Sequence, residues 1–389
     1  MIYWRLSAFY LFYFASLGAM LPYWSLYLAG IGFSGAAIAQ LTALMTMTKI
    51  VSPNLWGWIA DRSGRRMPIV RLGSLAALVA FAGVYFGTGF WWLAAVMMAF
   101  NFFWNASLPQ VEVTTLNHLG EHTHRYSAIR LWGSIGFIAA AAALGPLLDR
   151  FGIALLPAAL LVLFGAIWLS SLSVPERGLE ALPPQHAPLR KVLRHPQVLT
   201  LLAVCFLMQA SHGPYYTFYS LYLQGHGYSR GAIGQLWALG VIAEIGVFLI
   251  MHRLVPKLGL RRLLLGSLAV ASLRWLLIGY CVDNSALLIG AQLLHAATFG
   301  VYHASAIQLI HRHFRGRHQG RGQALYSSLS FGAGGAAGAL YSGYLWEVGG
   351  GSMAFAAAAG VSAVAGLLAW RRLRIADVES TVVPKIDVL

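Results

Sequence analysis

No charged side chain interrupts residues 73–110, 153–172 or 336–346. A helix needs about 20 apolar residues to cross roughly 30 Å of hydrocarbon, and apolar stretches recur along the whole chain. Only 10% of the residues are charged and 58% are hydrophobic, whereas a soluble domain carries about 25% charged residues. These charges are too sparse to coat a globule in water. The pattern predicts an all-α membrane protein with twelve transmembrane helices, near 5–29, 34–59, 67–87, 91–117, 126–148, 153–172, 198–224, 230–253, 263–281, 286–311, 321–345 and 351–370. The first apolar run is followed by no small-residue cleavage site, so it is expected to be a span and not a signal peptide.

The formal charge of +15 raises a nucleic-acid reading, which the distribution of the cations excludes. With the N-terminus inside, the cytoplasmic segments hold Arg5; Arg62, Arg65, Arg66 and Arg71; Arg125 and Arg130; Arg177, Arg190, Lys191 and Arg194; Arg253, Lys257, Arg261 and Arg262; Arg312, Arg315, Arg317 and Arg321; and Arg371, Arg372, Arg374 and Lys385. Of the 27 cations only Lys49, Arg150, Arg230 and Arg274 fall elsewhere. This positive-inside asymmetry places both termini in the cytoplasm. The basic balance thus reports topology and contact with anionic lipid. Cys205 and Cys281 lie within spans and read as small buried hydrophobes.

An internal repeat organises the spans. Shifting the chain by 195 residues lays Ser25-Leu26-Tyr27-Leu28 on Ser220-Leu221-Tyr222-Leu223. The same shift pairs Gly32, Ser34, Ala37, Ile38, Gln40 and Leu41 with Gly227, Ser229, Ala232, Ile233, Gln235 and Leu236. Two parallel repeats follow: a six-helix bundle over 1–172 and another over 198–374, in pseudo-symmetric relation. The Pro-rich segment 173–197 is expected to be a cytoplasmic linker, and 375–389 a cytoplasmic tail.

The run Gly57-Trp58-Ile59-Ala60-Asp61-Arg62-Ser63-Gly64-Arg65-Arg66 resembles the signature loop between spans 2 and 3 of the major facilitator superfamily. That resemblance implies the major facilitator fold, with substrate near the midplane between repeats. It also implies a gating role for Gly57, Asp61, Arg62, Gly64, Arg65 and Arg66, the acid facing a helix N-terminus across the interface, where the dipole favours it. The repeat position reads Pro256-Lys257-Leu258-Gly259 and lacks the acid.

A charge at the centre of a membrane helix costs about 2.5–3.5 kcal/mol on insertion scales and usually marks function. Lys49, Glu112, Arg130, Glu244 and Arg274 are the candidates, with His212, His295 and His303 as further titratable groups. Glu112 and Arg130 sit on adjacent spans and read either as a structural ion pair or as ligands of substrate. Glu244 occupies the repeat position of Lys49, so the two could bridge the halves or serve proton coupling. An isolated carboxylate in a low-dielectric site takes a proton readily and loses it when a cation approaches. Packed histidines bonded to backbone carbonyls are the alternative for His212 and His303. The run Gly332-Ala333-Gly334-Gly335-Ala336-Ala337-Gly338 reads as small-residue helix packing.

Arg130-Leu131-Trp132-Gly133-Ser134-Ile135-Gly136-Phe137, with Glu112 18 residues before it, resembles the span-5 motif of lactose-permease-type oligosaccharide:proton symporters. The resemblance implies that Glu112 and Arg130 contact substrate while Phe137 stacks on it. The pair Arg274 and His295 is similar to that family's coupling pair, but Thr298 stands where its proton-carrying acid belongs, which moves that role to Glu244. Gln209-Ala210-Ser211-His212-Gly213-Pro214-Tyr215-Tyr216, the run Leu236–Glu244 and Leu294-His295-Ala296-Ala297-Thr298-Phe299 resemble the phenylpropionic acid transporter subfamily. It implies proton symport of a small aromatic carboxylate into the cell across the bacterial inner membrane, with sugar or nucleoside symport as the alternative. The expected substrate-binding set is Lys49, Glu112, Arg130, Phe137, Gln209, His212, Tyr215, Tyr216 and His303; Glu244, His295 and Arg274 are the expected coupling set. The expected partners are substrate, protons and the lipid bilayer, with the protein working as a monomer.

His118-Leu119-Gly120-Glu121-His122 matches an inverted zinc-protease pattern by letter. It falls in a short loop with no soluble domain to supply a third ligand and a cleft. No enzyme activity, cofactor or metal site is expected.

Overall fold

The computed structural model describes residues 2–177, 192–314 and 319–374 and consists of helices joined by short turns. The first block contains α1 (Ile2–Gly30), α2 (Gly35–Ser63), α3 (Met67–Ala82), α4 (Phe90–Leu119), α5 (Tyr126–Phe151) and α6 (Leu156–Ser173). The second contains α7 (Pro196–Ser211), α8 (Gly213–Gly225), α9 (Arg230–Tyr280), α10 (Ser285–Leu293), α11 (Tyr302–His313), α12 (Gln319–Ser327) and α13 (Gly335–Arg372). Two π-helical segments, Ala296–Val301 and Ser328–Gly334, join α10 to α11 and α12 to α13. Arg190, Lys191, Arg315, Arg317, Lys385, the tail and most of the expected linker lie outside the described residues.

At 1.5 Å per residue, α9 unbent would run about 75 Å, more than twice the hydrocarbon thickness. It turns back at Gly259, whose φ of 75° and ψ of 152° are non-helical. Gly350 does the same in α13 with φ 71° and ψ −168°. Glycine reaches these left-side angles without a Cβ clash. Eight helical stretches among the described residues are long and apolar enough to cross a membrane. Neither α2 nor α4 is among them, because polar side chains lower their hydropathy; in the fold several of these are turned on each other. Asn101 of α4 donates to Thr48 Oγ1 at 2.7 Å and to the Met45 carbonyl, Ser52 donates to the Phe102 carbonyl, and Ser74 of α3 meets Ser107 at 3.2 Å. Such interhelical bonds satisfy polar groups where lipid offers none.

Within the first block α1 packs on α5 and α6, and α4 on α2 and α3; in the second, α13 packs on α7, α8 and α9. The blocks meet along two seams, α5 against α9 and α2 against α13. Glycines set the closest approaches. A Cβ at Gly136 would overlap the Leu11 carbonyl, and one at Gly18 would overlap the Phe137 carbonyl, so α1 and α5 touch backbone to backbone. The arginine-rich turn between α2 and α3 is held within its own block. Asp61 pairs with Arg66 at 2.6 Å, Arg66 also bonds Gln110 of α4, and Glu176 accepts from the Met67 amide at 2.8 Å. Asp61 therefore answers an arginine of its own turn in this conformation, and not a helix end of the other block.

Enlarging the α1–α5 contact should cost stability. Gly136→Leu is expected to lose roughly 1–3 kcal/mol through overpacking, read as a lower thermal midpoint in detergent. Gly165→Ala, where nothing lies within 4 Å of the added carbon, should stay within about 0.5 kcal/mol.

Candidate substrate cavity

A cavity of about 810 Å³ lies between the blocks on the α5–α9 side. The first block lines it with Phe14, Leu17 and Leu21 of α1, Glu112 of α4, and Tyr126, Arg130, Ser134 and Phe137 of α5. The second supplies Tyr216 of α8, Trp237, Val241, Glu244 and Phe248 of α9, and His295, Phe299 and His303. Its wall follows α5 from Phe137 to Tyr126 and α9 from Trp237 to Leu249, toward the end that carries the arginine-rich turns. A volume in the range of about 300–1,000 Å³, mostly apolar walls and a few convergent polar groups are the attributes of a small-molecule site.

Arg130 is the fixed cation of this wall. Its Cζ sits 3.7 Å from the Phe14 ring centroid and 5.9 Å from that of Tyr10. Gly133, one turn along α5, leaves the room for this stack: a Cβ there would come within 2.7 Å of both Arg130 Nη1 and Phe14 Cδ2. The ring covers one face of the guanidinium by a cation–π contact. Arg130 makes no hydrogen bond or ion pair to the described residues, so its N–H edges are uncommitted. Glu112 accepts a long 3.5 Å bond from Tyr126 and forms no ion pair with Arg130.

Glu244 Oε2 lies 3.7 Å from His295 Nε2. From there an aromatic ladder climbs the wall: His295 stacks on Phe299 at 5.5 Å, and Phe299 on His303 at 5.8 Å. His303 Nδ1 meets the buried Tyr326 hydroxyl at 3.1 Å. Gly240 and Gly300 bring α9 and the π segment close enough for this pairing, since Cβ atoms there would contact the His295 ring and the Glu244 side chain.

The expected site residues thus separate into two groups. Glu112, Arg130, Phe137, Tyr216, Glu244, His295 and His303 share the cavity wall, whereas Lys49, Gln209, His212, Tyr215 and Arg274 do not line it. Arg274 is completely buried. Its Nε donates to the Ala291 carbonyl at 3.0 Å, Nη1 to Thr298 at 3.1 Å and Nη2 to Gln292 at 2.9 Å, between the rings of Tyr215 and Trp275. Tyr215 forms the layer behind the wall, accepting from Gln292 and stacking against Trp237 and His295. His212 sits at the α7–α8 break with Nδ1 on the Met208 carbonyl at 2.9 Å and its ring against Trp275. Gln209 is buried against Gly334. Lys49 is half-buried on α2, between Thr48, which accepts from Asn101 of α4, and Ile50, which lies against Gly332. The pair Lys49–Glu244 is not formed; His295 takes the place beside the acid.

Phe14, Tyr126, Trp237 and Phe299 are wall residues that sequence reasoning did not single out. Phe299 could have been found by its spacing, four residues from both His295 and His303, and Trp237 by standing two helical turns before Glu244.

Helices that bury their polar groups on one another, and two blocks sealed at one end around a cavity, define a membrane transporter. A model of the MFS_1 like family matches residues 3–357, and the chain belongs to that family of the major facilitator superfamily. It is 29% identical over 347 residues to the "Probable 3-phenylpropionic acid transporter" of Escherichia coli (strain K12), covering 87% of this chain and 89% of that protein. It is likewise 29% identical over 394 residues to the maltose permease of Geobacillus stearothermophilus, covering 96% and 97%. The solved nucleoside transporter NupG, as a point mutant, superposes with a TM-score of 0.87 at 16% identity, covering 96% of this chain and 100% of that one.

The two arginines should respond differently to lysine. Arg274→Lys gives up the planar fork and at least one charge-assisted bond of about 1.5–3 kcal/mol, lowering the thermal midpoint in detergent. Arg130→Lys loses only the exposed-type stack and should cost no more than about 1 kcal/mol in the same assay.

Proposed function

We propose that this chain is a proton symporter that imports a small aromatic monocarboxylate by alternating access across the bacterial inner membrane, with both termini in the cytoplasm. In this reading residues 1–172 and 198–374 are six-span halves, and the protein acts as a monomer. The twelve-span count is supported by adding α2 and α4 to the eight apolar stretches and dividing α9 at Gly259 and α13 at Gly350.

The observation that carries the substrate class is the uncommitted guanidinium of Arg130, held face-on by Phe14 in a wall of aromatic rings. A guanidinium whose face is covered offers its N–H edge, which suits the two oxygens of a carboxylate. Phe137, Tyr216, Trp237 and Phe299 provide the apolar surface for an aromatic ring. The name of the Escherichia coli relative favours the same class.

Charge balance links substrate to protons. With neutral histidines the wall carries Arg130 against Glu112 and Glu244, a net charge of about −1, and a bound carboxylate would make it about −2. Charge in a low-dielectric site is costly, so the anion enters with at least one proton. Glu244 is the acceptor that suits this task, because its neighbour is a histidine and not a fixed cation. On release toward the arginine-rich end, water reaches the acid and the proton leaves with the substrate. Glu112 supports a second reading, a sugar or nucleoside symporter: a carboxylate accepts hydroxyl bonds, and aromatic faces stack on sugars and bases alike.

Uptake of labelled 3-phenylpropionate into proteoliposomes tests the first reading. A pH gradient should drive accumulation, and collapsing it with an ionophore should leave only equilibration. Glu244→Gln should abolish uphill accumulation and retain exchange of substrate across the membrane; loss of binding would instead make Glu244 a ligand. Arg130→Lys should weaken carboxylate binding by roughly tenfold or more, for about 1.5–3 kcal/mol of charge-assisted hydrogen bonding. Displacement of the label by neutral sugars or nucleosides, and not by aromatic acids, would transfer the assignment to the second reading.

A further inference from the structure

Three cross-block hydrogen bonds at the end remote from the arginine-rich turns repeat one chemical pattern twice. Helix α9 begins at Arg230 after the N-cap Ser229, whose hydroxyl accepts from the Ala232 amide at 3.1 Å. The two preceding amides are taken by the other block: Arg230 N donates to Asp149 Oδ1 at 3.0 Å and Gly231 N to Oδ2 at 2.8 Å. Helix α2 begins at Gly35 after the N-cap Ser34, which accepts from the Ala37 amide at 3.3 Å. Here Ala36 N donates to Glu347 Oε1 of the opposite block at 2.8 Å. Under the internal repeat, Ser34 corresponds to Ser229 and Ala36 to Gly231. The two carboxylates thus grip pseudo-equivalent first turns, one from the last turn of α5 and the other from the turn of α13 before its Gly350 break.

The surroundings repeat as well. Tyr23 donates to the Ala141 carbonyl at 2.6 Å and reaches the Arg230 carbonyl at 3.4 Å, while Phe218, its repeat partner, stacks on Trp346 beside Glu347. Ala39 and its counterpart Gly234 bring the blocks together at small residues, against Gly343 and the Ala141 carbonyl. A helix N-terminus presents unsatisfied N–H groups and about half a positive charge, so a carboxylate binds it without a cationic side chain. Both acids are exposed, and water can replace the amides when the blocks part. The contact is therefore firm enough to close and weak enough to release.

We propose that Asp149 and Glu347 are paired gate latches, each a carboxylate of one block clamped on the first turn of a helix in the other, and that their release opens the cavity at this end. Asp61 and the arginine-rich turn lie at the opposite end and take no part. The inference rests on alternating access, and not on the substrate or the proton assigned above.

Cysteine accessibility tests it without substrate. In a background with Cys205→Ala and Cys281→Ala, Leu21→Cys on the cavity wall is labelled with a membrane-impermeant maleimide from each membrane face in turn. Asp149→Asn and Glu347→Gln should each raise labelling from the latch face roughly twofold to fivefold, the factor for a charge at an exposed helix N-terminus. The double variant should show their product, with a matching fall from the other face. Ala36→Pro removes the donor in a first turn that tolerates proline; it should reproduce Glu347→Gln and add nothing to it. Unchanged labelling in the double variant overturns the proposal, as does full additivity of Ala36→Pro with Glu347→Gln. A rise on both faces at once, the mark of a loosened fold, overturns it equally. Equal labelling of the parent from both faces would defeat alternating access itself.

Discussion

Hydrocarbon cannot complete a hydrogen bond, so every polar group at membrane depth has to find its partner within the protein. Much of this architecture follows from that constraint. The polar residues of α2 and α4 turn to each other, the buried Arg274 gathers a carbonyl, a hydroxyl and an amide, and His212 bonds the helix turn behind it. Where water enters, the constraint is lifted, and a charged group can stand without a partner. Arg130 is the clearest case. One arginine is consumed by the structure and the other is held ready by a phenyl ring.

The two seams between the blocks are unlike each other. Along α2 and α13 the blocks remain in contact from Gly35 beside Trp346 to Asn54, which bonds Ser328 at 3.0 Å. Along α5 and α9 they touch at Asp149 and Gly234 and then diverge around the cavity. Small residues make the first seam tight along its length, and Phe137, Trp237 and Phe248 line the cavity where the second opens.

The fold was legible because its signals are additive over many residues. Uncharged runs, the serine N-caps at Ser34 and Ser229, and the arginine-rich turns each repeat, so one ambiguous helix does not disturb the rest. The cavity was legible only in part, because lining it depends on the direction of single side chains. Lys49 and Glu244 are equivalent under the repeat, yet only Glu244 lines the cavity. The asymmetry of the seams, which no repeat can encode, separates them. Arg274 and His295 both pack against the Tyr215 ring, yet only His295 reaches the cavity. Aromatic wall residues carried no charge to draw attention, so Trp237 and Phe299 had only their spacing as a sign.

The π-helical segment at Ala296–Val301 holds one more residue in its turn than an α-helix would. His295 stands just before it and His303 just beyond. Were that turn to tighten into α geometry, the remainder of its own helix, α11, would rotate by about 100° about its axis. His303 and Tyr326 would then part, and the ladder of rings leading from Glu244 would be cut while both blocks stayed where they are. Such a change would alter which groups the acid can reach without any motion of one block against the other.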